Sequence, residues 1–160
     1  MALLRDIAAT YMAPRRAARR KLAQAPGEET LLAYVMFASL IAFCARIPAL
    51  IAQADTLPSP STFIGAQFVA AMIFGPLFLY ALAALSYLLA RALGGRGSGR
   101  DARLALFWVL LTMQPLVIVL EIVRYLALGN RVSLSVSLIC AGVFVGVWAI
   151  FLIAAQRARS

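Results

Sequence analysis

The sequence predicts an all-α, polytopic transmembrane helical bundle, with four spanning helices after an N-terminal amphipathic interfacial helix. Three observations lead there. Of 160 residues, 64% are hydrophobic and only 13% are charged, against about 25% charged in globular domains. From Thr30 onward the apolar residues gather into four long runs. Finally, twelve of the fifteen basic residues fall in three segments that flank those runs in pairs: the first 21 residues, Arg91 to Arg103, and Arg157 to Ser160. A chain this short cannot bury so much apolar surface in its own core, so lipid has to act as part of its solvent.

The first segment, residues 1–27, carries Leu3, Leu4, Ile7, Ala8, Tyr11 and Met12 at helical spacing, and Pro14 then opens a strongly basic turn. An amphipathic helix lying among headgroups fits this pattern. A basic arm that only sets orientation is the alternative, and both readings put the segment against acidic lipid. Ala25-Pro26-Gly27 interrupts the chain, and Glu28 and Glu29 suit the positive end of the helix that follows.

The membrane domain covers residues 28–156, with a tail at 157–160. A span needs about 20 mainly apolar residues to cross ~30 Å at 1.5 Å per residue. Residues 30–53, 63–93, 102–128 and 132–156 meet that length. The second is long enough to expect tilt, a bend at Gly75-Pro76 or a last turn in water. Asp55 to Ser61 is a short polar connection, Gly94 to Arg100 reads as a flexible link, and Asp101 is placed to cap the third span. Gly129-Asn130 supplies the last tight turn. Connections this short impose an up-down-up-down antiparallel order. With an even number of spans, Arg5, Arg15, Arg16, Arg19, Arg20, Lys21, Arg91, Arg96, Arg100, Arg103, Arg157 and Arg159 share one side, and Arg131 lies on the other. The excess of basic residues predicts a multi-pass protein of the cell's inner (cytoplasmic) membrane with both termini cytoplasmic. No A-x-A-like site follows a short apolar stretch, so the first span is expected to act as its own uncleaved signal.

The net charge of +9 lies beside spans, which favours anionic headgroups over nucleic acid as its partner. Arg15, Arg16, Arg19, Arg20, Lys21, Arg96, Arg100 and Arg103 are the expected contacts with headgroups or a partner protein. Cys44 and Cys140 lie within apolar runs and read as packing residues.

Polar residues inside the spans are few. Arg46 in the first span and Gln114, Glu121 and Arg124 in the third form a candidate intramembrane cluster. Arg46 and Glu121 each stand five residues beyond their span's centre, roughly 7–8 Å past the midplane, so an interhelical pair is expected. Arg124, three residues from Glu121, competes for it on the same helix. A single acidic residue without histidine offers no evident proton relay, and the cluster reads as interhelical glue ahead of an ion pathway. Pro76 and Pro115 each fall about a dozen residues into a span and are expected to bend it. Gly142 and Gly146 make a G-x-x-x-G that permits close helix contact, within the bundle or between copies.

No histidine is present, which removes Ser-His hydrolysis and most zinc sites. The glycine-rich link lacks the Lys-Ser/Thr ending of a phosphate loop. The chain therefore reads as non-enzymatic, with no cofactor and no metal.

Ala90-Arg91-Ala92-Leu93-Gly94-Gly95-Arg96-Gly97-Ser98, followed by Ala102-Arg103-Leu104-Ala105-Leu106-Phe107-Trp108, resembles bacterial members of the Yip1 family. Gly75-Pro76-Leu77 through Leu85-Ser86 in the preceding span is similar to that family too, and the resemblance covers roughly residues 63–116. It implies a small multispan membrane protein without catalytic activity; eukaryotic relatives act in vesicle trafficking and usually carry five spans. The resulting expectation is a scaffold or membrane-organising protein that engages anionic lipid, a second copy of itself or other membrane proteins. A small transporter or channel built on the Arg46, Glu121 and Arg124 cluster and the two kinks is the alternative.

Overall fold

In the computed structural model the described residues are 2–126 and 130–157, with side chains described for 6–126 and 134–156. Arg5, Arg131, Arg157 and Arg159, and the Gly129-Asn130 turn, lie outside the described side chains. Among the described residues there is no strand. The helices are α1 (Ala2–Met12), α2 (Pro14–Gln24), α3 (Glu28–Ala54), α4 (Pro60–Val69), a π-helical turn (Ala70–Phe74), α5 (Gly75–Ala92), α6 (Gly99–Thr112), α7 (Gln114–Leu126) and α8 (Asn130–Arg157).

Three stretches are long and apolar enough to cross a membrane: α3, the continuous run Pro60–Ala92, and Leu134–Gln156. A fourth crossing exists only if α6 and α7, bent by 47° at their junction, count as one broken span. α6 alone has 14 residues and reaches only about 21 Å. The third apolar run is thus two helices rather than one, and the reason is local. Pro115 lacks an N–H for the Leu111 carbonyl and its ring crowds that turn, so the ladder breaks at Met113.

α6 forms the axis of the bundle. Nine of its residues are buried, among them Leu106, Phe107, Trp108 and Val109 on successive positions, so every side of it is covered. α3, α5 and α8 surround it. Trp108 meets the edge of Tyr34 from α3 at 5.3 Å, and Phe107 meets Tyr80 from α5 at 4.7 Å, separations at which aromatic pairs attract beyond simple burial. The outer faces are a different matter. Phe37, Phe74, Leu77, Phe78, Leu138 and Ile139 are each at least 60% exposed, a surface far larger than a water-soluble monomer tolerates.

Pro76 is accommodated by the π-helical turn. The Gly75 N–H bonds the carbonyl five residues back, that of Ala70, which widens the helix where the proline ring would otherwise press on the Met72 carbonyl. The expected bend thus takes the form of a one-turn change of helical register. Pro48 also lies inside a helix, α3, which continues through it.

The link 94–98 is more ordered than its glycine content suggested. Gly94, at φ 85°, ends α5 with its own N–H on Arg91 and the Gly95 N–H on Ala90, the paired bonds of a left-handed helix terminus. Gly97 then donates its N–H to Gln156 Oε1 at 2.8 Å. A side chain at Gly97 would meet the Ala155 carbonyl at 2.7 Å, so glycine is required by close approach to α8. Ser98, rather than Asp101, is the N-cap of α6, and Asp101 completes a reciprocal capping box with it.

Candidate functional site

The N-terminal segment is two helices broken at Ala13-Pro14, and together they pack against α6 and α8. Their inward face sets a few polar groups among small apolar ones. On α1, Asp6 and Thr10 are four residues apart and share one side; on α2, Ala17, Ala18 and Lys21 are buried. The Trp108 indole receives both. Its Nε1–H donates to Thr10 Oγ1 at 3.2 Å, and Lys21 Nζ stands 4.0 Å from its ring centre. Lys21 is tied to Asp6 at 2.7 Å, with Arg20 at 3.6 Å on the same carboxylate. The Asp6 carboxyl is held below the usual carboxylate range, first by the hydrogen bond from Lys21, then against the opposing cost of burial, with help from the charges of Lys21 and Arg20.

Tyr11 ties α1 to the kink. Its hydroxyl donates to the Thr112 carbonyl at 2.5 Å, and Gln114 Nε2 donates to Leu110 at 2.9 Å. The broken ladder frees these carbonyls, and side chains on two different helices satisfy them. Gln114 Oε1 is left buried without a partner.

The sequence reading missed Asp6, Thr10, Tyr11, Trp108 and Thr112 as a cluster. It also placed Lys21 among the headgroup contacts, whereas here Lys21 is turned inward and only 7% exposed. The reason is complementarity: a half-buried carboxylate and a tryptophan face both attract an ammonium group. Asp6 and Thr10, at i, i+4 on a helix whose one other charged residue is Arg5, were the available signal.

Among the described arginines, all but Arg46 and Arg124 gather at one end of the bundle, where α3 and α6 begin and α5 and α8 finish. Arg15, Arg16, Arg19, Arg20, Arg96 and Arg100 are exposed. Arg100 donates through Nε to Pro26 at 3.0 Å and through Nη2 to Ala25 at 2.8 Å. Arg103 pairs with Glu28, and its Nε is buried without a partner. Arg91 donates to the Tyr87 hydroxyl at 2.6 Å. Arg15, Arg19 and Arg100 open onto a cavity of about 660 Å³ between α2, the start of α6 and the last turns of α8.

The intramembrane residues are not brought together as the depth argument expected. Glu121 pairs with Arg124 at 3.2 Å on its own helix, and Arg124 reaches across to Ser137 of α8 at 3.0 Å. Arg46 is exposed on α3 and makes no ion pair among the described residues. A partner one turn away outcompetes one that requires two helices to align. Gln114 lies apart from this pair, at the kink. Cys44 and Cys140 are both free thiols. Among the described residues no three potential metal ligands converge.

No protein-family model, curated protein or solved structure matches this chain.

Proposed function

We propose that this chain is a non-enzymatic, Yip1-like integral membrane protein that organises or scaffolds a bacterial inner membrane. Its arginine-bearing end faces the cytoplasm and engages anionic headgroups or a partner protein. Four crossings, with α6 and α7 as one broken span, put both termini on that side. The observation that carries the reading is the separation of charge. Arg15, Arg16, Arg19, Arg20, Arg96 and Arg100 are exposed around one end, next to a belt of exposed Phe, Leu and Ile. Arginines in that position attract anionic lipid by about 1 kcal/mol each. A Cβ at Gly142 or Gly146 would meet no other helix within 4 Å among the described residues, which suits a helix of a second copy.

The transport alternative has less support. Arg46 and Glu121 do not meet, the Pro115 kink is filled by Tyr11 and Gln114, and the cavity lies among arginines rather than between Gln114 and Glu121. The test is the lipid composition of polymer discs cut from expressing membranes. Anionic lipid should be enriched over the bulk membrane, and the enrichment should disappear in the Arg15→Gln, Arg16→Gln, Arg19→Gln, Arg20→Gln variant. Equal composition in both would refute the reading, and solute flux in proteoliposomes abolished by Glu121→Gln would replace it with transport.

A further inference from the structure

We infer that the cavity between α2 and α8 is a binding site for a single anionic phospholipid drawn from the adjoining leaflet. This rests on the proposed membrane orientation and sharpens it from a charged face to a defined site. Arg15 and Arg19 stand four residues apart on α2, hence on one side of it, and Arg100 enters from the start of α6. Arg15 and Arg19 have no ion pair or hydrogen bond among the described residues. Arg100 has its Nε and Nη2 on backbone carbonyls, which fixes the guanidinium and leaves Nη1 to donate.

Asp101 also lines the cavity, but its carboxylate accepts from Ser98 N–H and Oγ–H at 3.1 and 2.7 Å within the capping box. Three guanidinium groups against one engaged carboxylate leave the cavity electropositive. A phosphodiester is the anion whose oxygens such forks match best.

The rest of the wall is apolar: Leu22 from α2 and Ile150 and Ile153 from α8. Ile153 and Ile150 lie three and six residues before Gln156, roughly 4.5 and 9 Å further into the apolar span. The site thus changes from guanidinium to hydrocarbon along the direction a lipid changes from headgroup to chain. A free inorganic anion would have no use for the isoleucines, and a soluble acidic peptide would have to enter along a span. A volume of about 660 Å³ lies within the range of roughly 300–1,000 Å³ usual for small-molecule sites. It suits a headgroup and the first part of one chain.

The test uses the full chain in discs of zwitterionic lipid, titrated with short-chain phosphatidylglycerol, with phosphatidylcholine of equal chain length and with inorganic phosphate. Binding is read by native mass spectrometry and by competition with a fluorescent phosphatidylglycerol. The expected result is saturable binding of one phosphatidylglycerol, weak binding of phosphatidylcholine, and no competition by millimolar phosphate. Arg15→Gln with Arg19→Gln should weaken it about thirtyfold, at about fivefold per arginine. Arg16→Gln with Arg96→Gln removes the same charge outside the cavity and should change it less than threefold. Ile153→Trp, which fills the apolar wall, should abolish the bound lipid while leaving the general preference for anionic discs intact.

Equal losses from the two arginine pairs would overturn the defined site and leave the charged face standing. No preference for phosphatidylglycerol in any variant would overturn both. Competition by inorganic phosphate at the lipid's own affinity would assign the cavity to a free anion, and occlusion of the cavity only in a dimer would assign it to a second copy; either result overturns the inference.

Discussion

Replacing Lys21 by methionine keeps the aliphatic stem and removes the charge that joins α1, α2 and Trp108. The Lys21 and Asp6 side chains are 9% and 14% exposed, so their pair lies between an exposed one, at about 0–1 kcal/mol, and a buried one, whose breaking costs about 3–5 kcal/mol. About 2 kcal/mol is a fair middle value for the ion pair. Loss of the cation from the Trp108 face at 4.0 Å adds about 1 kcal/mol. A total of about 3 kcal/mol shifts the docked-to-open equilibrium of the hairpin roughly a hundredfold, because each 1.36 kcal/mol is a factor of ten. Trypsin reads that equilibrium directly, since cleavage after Arg16 requires local unfolding of α2. Lys21→Met should therefore be cut up to about a hundred times faster than the parent chain in detergent. Arg20→Met is the control: Arg20 is 67% exposed and 3.6 Å from Asp6, and its loss should change the rate less than about fivefold. If the two variants are cut at the same rate, the hairpin is not held by Lys21 and the Trp108 site is misread.

Acid should release the same hairpin. The Asp6 carboxyl is lowered from 3.8, so its stabilisation is complete above about pH 4 and is lost as the pH falls through the lower, folded-state value. In a Trp148→Phe background, Trp108 fluorescence should stay constant from pH 7 to 5 and change only below about pH 4, and Lys21→Met should erase that step. A double-mutant cycle on stability should find coupling of about 0.3–0.5 kcal/mol between Glu121 and Arg124. Between Glu121 and Arg46 it should find additivity. Gly97→Ala should lower thermal stability by about 1–3 kcal/mol through the clash with the Ala155 carbonyl. Gly142→Ala should reduce self-association measured by cross-linking in membranes, because the added methyl group obstructs the close approach of a second copy's helix.

What could be read from residues alone was whatever depends on composition and period. The apolar runs around Leu40, Leu85 and Val145 are long enough that no arrangement other than a helix satisfies their backbone in lipid. Pro58, Pro60 and Gly94 mark joints because their backbone preferences are local. The split of the third run was only half legible. Pro115 announced a bend, but a helix that ends at Thr112 and restarts at Gln114 depends on Tyr11 reaching the freed carbonyl from a hundred residues away. The same limit hid the Trp108 site. Asp6 and Lys21 each look like solvated surface charges in their own windows, and only the packing of α1 and α2 on α6 turns them inward. Depth counting failed for Arg46 and Glu121 because it fixes height along a span but not the direction a side chain leaves its helix.

The orientation of the arginine end relative to the membrane underlies both the scaffold reading and the lipid site. It is tested with single cysteines in a Cys44→Ala, Cys140→Ala background, using a membrane-impermeant maleimide on right-side-out and inverted vesicles. Arg16→Cys should label only in inverted vesicles and Thr56→Cys only in right-side-out ones. Labelling of Arg16→Cys from the outside, or of both positions from the same side, would contradict the account.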